Sequence, residues 1–226
     1  MHHTIKLISL VLLFGGLSLT STASESSNVT SDKLAVSGNV SFMSEYYYRG
    51  ILQKTSSASA GLDLAYGNIT TGIWLADVGD GLETDVFGSY NHSFTDEFSA
   101  SLGFTGYYYS GNFDETYEEL NVGLNYRFVT LDYATGTWAG IESGSDRYNF
   151  LSITVSGEYW YATYGQFGKI FDGDYIELGA SHTFNEFDVN LALIVSSDEL
   201  SDQLTASGEA TDSEALVLTL SKSFDL

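Results

Sequence analysis

Apolar and polar residues alternate along most of the chain from residue 35 onward, with a period of two instead of the period of about 3.6 that a helix requires. In the first such run Val36, Val40 and Phe42 share one phase, whereas Asn39 and Ser41 occupy the other. Because successive side chains of a strand point to opposite faces, this pattern predicts long strands with two chemically different faces. We predict twelve strands, near residues 35–49, 57–66, 69–76, 83–94, 98–109, 117–127, 130–136, 148–156, 159–168, 175–184, 187–197 and 214–226.

Charged residues within the predicted strands keep almost entirely to the polar phase, as Asp63 and Glu177 do. Glu118 and Lys222 are the exceptions, and each lies within a few residues of a strand end. A charge on the lipid face costs about 2–4 kcal/mol near the bilayer midplane and much less at the interface, so lipid would impose this segregation. The polar phase is otherwise rich in Ser, Thr, Asn and Gly, unlike the water-exposed face of a soluble sheet. The pattern therefore favours a transmembrane barrel.

The predicted connections alternate between short and long. Tight turns are expected at 67–68, 95–97 and 185–186, and longer loops at 50–56, 77–82, 110–116, 137–147, 170–174 and 196–213. Short periplasmic turns and long external loops are typical of bacterial outer-membrane barrels. We therefore predict an all-β fold, an antiparallel transmembrane β-barrel of about 12 strands within a range of roughly 10–14, in which an even strand number returns both termini to the periplasm.

Aromatic residues concentrate near the ends of the predicted strands. Tyrosines 46–48 and 107–109 lie where strands run into long loops, whereas Phe94, Phe98 and Phe184 flank short turns. Amphipathic rings favour the headgroup level of a bilayer, so the two groups predict aromatic belts at the two membrane interfaces. The alternative interpretation is that these rings form the core of a soluble β-sandwich.

The first residues have the layout of a secretory signal. Basic residues precede an apolar run at 7–19, and small residues follow it up to Ala23. The run is shorter than the roughly 20 residues of a membrane-spanning helix. We expect a signal peptide at 1–23, a short linker at 24–34 and the barrel at 35–226. The last strand alternates up to Leu226 and resembles the insertion signal that the barrel-assembly machinery recognises.

Composition narrows the function further. The chain has no Cys, which excludes disulfides and cysteine-based metal sites. Its formal net charge of −22 argues against nucleic-acid binding, which needs a basic surface. Sixteen Tyr and 14 Phe are too many for a disordered acidic chain.

Several segments resemble one family in order and spacing. Residues 44–51 (SEYYYRGI) are similar to the opening motif of the TorF family of porins, also described as a conserved outer-membrane family of unknown function. Residues 72–78 (GIWLADV) and 83–90 (ETDVFGSY) are similar to two further segments of that family. The resemblance implies a barrel and suggests a pore, but it names no substrate.

Catalytic constellations are not evident, and we expect neither an enzyme nor a cofactor. Beyond the signal, the chain has only His92 and His182, both in the lipid-facing phase near short turns, where an interfacial role fits better than a general base. A weak divalent-cation loop is a further candidate, although its spacing does not follow an EF-hand. Its acidic residues are Asp77, Asp80, Glu83 and Asp85.

The residues together predict a porin-like channel in the outer membrane of a Gram-negative bacterium. Its partners would be outer-membrane lipid, the barrel-assembly machinery and small hydrophilic solutes or ions, with a preference for cations because acidic rings favour them. The predicted pore-lining residues are Glu45, Arg49, Asp63, Glu119, Arg127, Asp132 and Glu177. Two alternatives stay open: a non-conducting structural or adhesive barrel, and a soluble secreted β-barrel that binds a lipophilic ligand.

Overall fold

The computed structural model describes residues 33–140 and 144–226. The predicted signal peptide at 1–23, and all but the end of the predicted linker at 24–34, lie outside the described residues. Within the described part of the chain, no helix has the length and hydrophobicity needed to cross a membrane. The strands are β1 (Ala35–Tyr48), β2 (Ile51–Tyr66), β3 (Ile69–Asp77), β4 (Leu82–Ser93), β5 (Phe98–Tyr109), β6 (Tyr117–Tyr126), β7 (Val129–Gly140), β8 (Gly144–Ser156), β9 (Trp160–Lys169), β10 (Asp174–Phe184), β11 (Phe187–Ser196) and β12 (Ser213–Asp225), with a 3₁₀ turn at Asp198–Leu200.

Each strand pairs antiparallel with its neighbours in sequence, and β12 returns to pair with β1. The closing ladder runs in register from Ser37 opposite Asp225 to Met43 opposite Thr219. Closure leaves no free sheet edge, so the backbone groups of the wall find partners within the wall. The prediction of an antiparallel barrel of about 12 strands is confirmed.

The outer surface of the barrel is apolar. Leucines on many strands point outward and are well exposed, including Leu102, Leu120, Leu191 and Leu216. The inward positions between them carry small polar side chains, such as Asn121 and Thr219, which are buried. A water-soluble protein would cover such a surface, whereas lipid favours it. The exterior therefore favours the transmembrane barrel over the soluble alternative.

The rim with the short turns, which we call the short-turn end, carries the predicted aromatic belt. Its turns are at 67–68, 94–97, 127–128, 157–159 and 185–186. His92 lies there with its ring 4.6 Å from the ring of Phe94, and His182 lies 5.8 Å from the ring of Tyr159. Each histidine therefore packs against aromatic rings at this rim.

Lys222, the charge that interrupts the outward apolar stripe of β12, is accommodated at the same rim. Its Nζ donates a hydrogen bond to Glu186 Oε2 at 2.8 Å and lies 5.3 Å from the ring centroid of Phe187. This ion pair lowers the pKa of the Glu186 carboxyl, which lies in the β10–β11 turn. A long amphipathic side chain can thus keep its charge at the interface while its stem covers apolar surface.

The opposite rim, the long-loop end, differs from the prediction at two places. The loop predicted at 50–56 is wrong: β2 begins at Ile51, and only Arg49 and Gly50 form the turn. The loop predicted at 137–147 is largely strand, because pairing extends from Thr137 opposite Arg147 to the ends of β7 and β8. The remaining long connections lie at 78–81, 110–116, 170–173 and 197–212.

The lipid-facing exterior predicts a depth-dependent cost for charge. Leu191→Arg, in the middle of β11, should lower the free energy of unfolding by about 2–4 kcal/mol, because the guanidinium would lie near the bilayer midplane. The measurement is reversible denaturant unfolding of the full chain in phospholipid vesicles. Leu204→Arg is the matched control, since Leu204 lies in the 197–212 loop, and it should change stability by less than about 0.5 kcal/mol. Equal losses at both positions would contradict a lipid-facing β11.

Candidate functional site: the barrel lumen

The turn between β1 and β2 lies inside the barrel. The Gly50 carbonyl oxygen accepts a hydrogen bond from Ser196 Oγ on β11 at 2.6 Å. The Arg49 guanidinium carbon lies 4.3 Å from the ring centroid of Phe150 on β8, and its nitrogens bond to Glu119 on β6. Strands β6, β8 and β11 occupy different parts of the wall. One turn can contact all three only if it projects into the lumen, and we call residues 46–52 the inner hairpin.

Near its end β1 buries both of its faces, and a bulge follows in the hairpin. Met43 and Tyr46 are both buried and pack in one cluster with Trp74, although three positions separate them along a strand that should alternate. The register with β2 shifts between Tyr46 and Tyr47, and Ser56 on the partner strand has a φ of 64°. A bulge of this kind bends a hairpin and re-aims its side chains.

The predicted outer belt of tyrosines at the long-loop end is therefore wrong for most of its members. Tyr46 and Tyr107 are only 1% and 2% exposed, whereas Tyr108 is 43% exposed. Tyr48 contacts Tyr107 edge to face inside the barrel, with ring centroids 5.5 Å apart. These rings fill the lumen instead of lying at the bilayer surface.

Arg49 and Glu119 form the central ion pair of the lumen. Nη1 lies 2.6 Å from Oε1 and Nη2 lies 3.0 Å from Oε2, so the contact is bidentate. The same carboxylate accepts hydrogen bonds from Tyr148 Oη at 2.8 Å, Asn121 Nδ2 at 3.0 Å and Tyr107 Oη at 3.2 Å. Its side chain is fully buried. A buried charge is tolerated when its partner and its remaining hydrogen-bonding sites are satisfied, as they are here.

The inner hairpin packs against an apolar part of the wall on the side of β8 to β12. Gly50, with a φ of 82°, lies so close to Tyr175 that a Cβ added to the glycine would be 2.7 Å from the Tyr175 Cβ. Tyr47 belongs to the cluster of buried residues that covers this wall. Other members are Phe150, Phe167, Ile194, Leu200, Ala215 and Val217.

Aromatic residues of the long loops pack against the two clusters to which the inner hairpin contributes. Phe171, from the β9–β10 loop, lies 5.2 Å from the ring of Tyr148 and 6.3 Å from the ring of Trp138. Phe113, from the β5–β6 loop, lies 5.4 Å from the ring of Tyr109. The long-loop end of the lumen therefore holds the hairpin together with aromatic residues from two long loops.

The lumen towards the short-turn end is polar and acidic. Asp63 Oδ2 accepts a hydrogen bond from Asn39 Nδ2 at 3.2 Å, and Glu177 accepts one from the hydroxyl of Tyr161. Asp132 Oδ1 is buried and has no hydrogen-bond partner within the part of the chain that the structure describes. These carboxylates line the interior between hydroxyl and amide side chains.

The predicted pore-lining residues are distributed unevenly. Arg49, Asp63, Glu119, Asp132 and Glu177 face the interior, and Glu45 is half-buried beside the bulge. Arg127 departs from the prediction, because it lies in the β6–β7 turn with a φ of 55° and pairs with Glu97 at 3.0 Å. The alternation ends at Tyr126, so the phase that predicted Arg127 no longer applies there.

The four acids predicted as a divalent-cation loop do not come together. Asp77 pairs with Lys54, Asp80 lies in the β3–β4 loop, and Glu83 and Asp85 point inward from β4. Glu83 accepts hydrogen bonds from Tyr46 Oη at 3.0 Å and Tyr109 Oη at 3.4 Å. Among residues 33–140 and 144–226, no group of three or more His, Cys, Asp or Glu could hold a metal ion. The sequence thus missed Glu83 and Asp85 as lumen residues, although both lie in the polar phase of β4.

One family model matches residues 27–217, and its description is "Bacterial protein of unknown function (Gcw_chp)". The chain belongs to the Gcw_chp family. That description does not carry the TorF name, so the resemblance to the TorF porins stays a prediction. No curated protein matches this Gcw_chp chain.

Solved structures are similar to this Gcw_chp protein at low sequence identity. A structure described as "Unveiling the Mechanism Behind the in-meso Crystallization of Membrane Proteins" has 6% identity and a TM-score of 0.55, over 85% of this chain and 84% of that one. OprD of Pseudomonas aeruginosa has 11% identity and a TM-score of 0.44, over 76% of this chain and 60% of OprD. A BenF-like porin of Pseudomonas fluorescens Pf-5 has 11% identity and a TM-score of 0.38, over 82% and 58%. The first similarity indicates a shared fold and nothing more specific.

The close approach of Gly50 to Tyr175 predicts a large effect of a single methyl group. Gly50→Ala should lower the free energy of unfolding of the Gcw_chp barrel by the roughly 1–2 kcal/mol of a left-handed alanine, and by at least about 1 kcal/mol more for the clash. Denaturant unfolding of the full chain in phospholipid vesicles measures the sum of the two costs.

Gly208→Ala is the control for the backbone term. Gly208 has a φ of 85°, close to that of Gly50, and nothing lies within 4 Å of an added Cβ. It should show only the left-handed cost. If the two alanine variants lose the same stability, the inner hairpin is not packed against Tyr175.

Proposed function

We propose that this protein is an outer-membrane channel for passive diffusion of small hydrophilic solutes or ions, with a preference for cations. The observation that carries the proposal is a polar, acidic lumen inside a barrel with an apolar exterior. Carboxylates from several strands of the described barrel face this lumen: Asp63, Glu83, Asp85, Glu119, Asp132 and Glu177. Arg49, the cation at their centre, is neutralised by Glu119.

Electrostatics supports the preference for cations. Carboxylates that line a narrow passage with low-dielectric walls raise the local concentration of cations and repel anions. The whole chain carries a formal net charge of −22, so the loops at the entrance add to the same field. The effect is strongest where a carboxylate is not already paired, as at Asp132.

The size of the barrel supports small solutes. Eight strands leave an interior just wide enough to be filled by side chains, whereas about 16 strands leave an aqueous channel. Twelve strands lie between these limits. Large tyrosine and phenylalanine rings at the long-loop end narrow the interior further, which favours inorganic ions and small molecules over larger nutrients.

The outer membrane is the location that fits this architecture. Barrels of that membrane place short turns in the periplasm and longer loops outside, which would place the short-turn end and both ends of the barrel chain in the periplasm. Outer-membrane lipid would contact the leucine-rich exterior. We also propose that the barrel-assembly machinery recognises β12, whose outward side carries Leu216, Leu218 and Leu220.

A non-conducting structural or adhesive barrel is the second candidate, and one observation favours it. The inner hairpin crosses the lumen at the long-loop end and is fully packed there. A barrel that never conducts could retain this packing permanently.

Reversal potentials test the channel and its selectivity. The wild-type protein, reconstituted in a planar bilayer under a salt gradient, should give small currents with a reversal potential of cation preference. Asp132→Asn combined with Glu177→Gln should move the reversal potential towards zero, because two carboxylates of the lumen lose their charge.

Glu209→Gln is the matched control, because Glu209 is exposed in the 197–212 loop. It removes one negative charge outside the lumen and should move the reversal potential much less than the double lumen variant does. Anion preference of the wild-type protein would refute the acidic-channel proposal. If no current is recorded even from variants whose inner hairpin no longer fills the lumen, the structural barrel is the better description.

A further inference from the structure

We propose that the inner hairpin is a gate that closes the channel at its long-loop end, with the Arg49–Glu119 ion pair as its latch. This inference rests on the proposed channel function and adds how the channel is regulated. Two properties of the hairpin carry it: the hairpin contacts the wall on several sides of the lumen, and its backbone is not paired with the ladders of the wall.

The blockage follows from contacts in several directions. Tyr46 Oη reaches Glu83 on β4 at 3.0 Å, and the Tyr48 ring contacts Tyr107 on β5. On other sides, Arg49 reaches Glu119 on β6 and the Gly50 carbonyl reaches Ser196 on β11. A hairpin with contacts on these sides crosses the lumen and obstructs passage at this level.

The independence of the hairpin follows from where the ladders of the wall end. The pairing of β1 with β12 stops at Met43, and the pairing of β2 with β3 begins at Ser59. Between these points the two strands pair with each other, down to Tyr48 opposite Ile51. The hairpin can therefore swing away from the lumen without breaking a backbone hydrogen bond of the closed wall.

Side-chain contacts hold the hairpin in the lumen, and the ion pair is the central one. The bidentate Arg49–Glu119 contact is charge-assisted and excluded from water, which makes it stronger than a neutral hydrogen bond. The Arg49 guanidinium is also held over the rings of Tyr48 at 4.8 Å and Phe150 at 4.3 Å. Loss of either partner leaves the other charge buried without its counter-charge, so release of the hairpin becomes the favourable response.

The test reports the position of the hairpin by chemical modification and does not depend on a recorded current. The chain has no cysteine, so a single Ser196→Cys substitution provides the only thiol. Ser196 is 1% exposed, and its hydroxyl donates a hydrogen bond to the Gly50 carbonyl oxygen. The full-length protein in phospholipid vesicles is treated with a charged, membrane-impermeant methanethiosulfonate reagent, and the rate of modification is measured.

Modification should be slow with the latch intact. Adding Glu119→Gln should accelerate it by about tenfold or more, because the reaction rate follows the population of the open hairpin. Arg49→Gln should act in the same direction. Arg49→Lys should give an intermediate rate, since lysine keeps the charge but loses the bidentate contact.

Asp188→Asn, on the same strand as the reporter but near the short-turn end, is the matched control. It removes a carboxylate whose hydrogen-bond partner is Thr183, remote from the hairpin, and should leave the rate unchanged. Heat-modifiable gel mobility verifies that every variant is a folded barrel. Acceleration by Asp188→Asn to the same extent would indicate general loosening and would overturn the latch.

The outcomes for the gate and for the channel are separate. Equal modification rates in the parent, Glu119→Gln and Arg49→Gln proteins overturn the gate, whatever currents are recorded. If modification accelerates and Glu119→Gln also increases channel open time, the gate is supported. If modification accelerates while no variant conducts, the hairpin moves as inferred, but the proposed channel function fails.

Discussion

Backbone hydrogen bonding in lipid is the constraint on which this structure depends. A peptide group that faces hydrocarbon has no water to bind, so each strand of the wall must pair on both sides. The ring satisfies this condition only because β12 returns to β1 over the register from Ser37 to Met43. The absence of proline from the chain agrees with the same constraint, because proline would remove a donor from the ladder.

Backbone pairing with the wall is not required inside the barrel, where side chains can satisfy the polar groups of the backbone. The segment between Met43 and Ser59 leaves the ladders of the wall and pairs with itself. Its tip is stabilised by side chains instead: an ion pair, tyrosine hydroxyls and one hydrogen bond from Ser196. The wall must remain closed for the barrel to exist in lipid, whereas the hairpin is bound only by contacts that can be exchanged. The position of the hairpin therefore depends on side-chain contacts, whereas the closed wall depends on backbone pairing.

The alternation of residues was sufficient to predict the wall but not its contents. It located β5 at Phe98–Tyr109 and most other strands within a few residues, because lipid outside and small polar groups inside impose opposite preferences on successive positions. The inner hairpin lies where that rule does not operate, since both of its faces are surrounded by protein. Three consecutive tyrosines before Arg49 and Gly50 break the alternation, and this was the available signal. Its interpretation required the partners on β6, β8 and β11, which are remote in sequence and become neighbours only when the ring closes.

The acidic residues that the sequence predicted to line a pore lie in two different environments in the structure. Glu119 is saturated by five hydrogen bonds, two of them from Arg49, and has no capacity left for a passing ion. Asp132 has an oxygen without a partner, and Asp63 accepts its bond from a neutral amide. In the proposed channel, attraction of a cation depends on carboxylates of the second kind, whereas the proposed gate depends on the first. Selectivity and closure should therefore respond to different substitutions, although both rest on carboxylates within one acidic lumen.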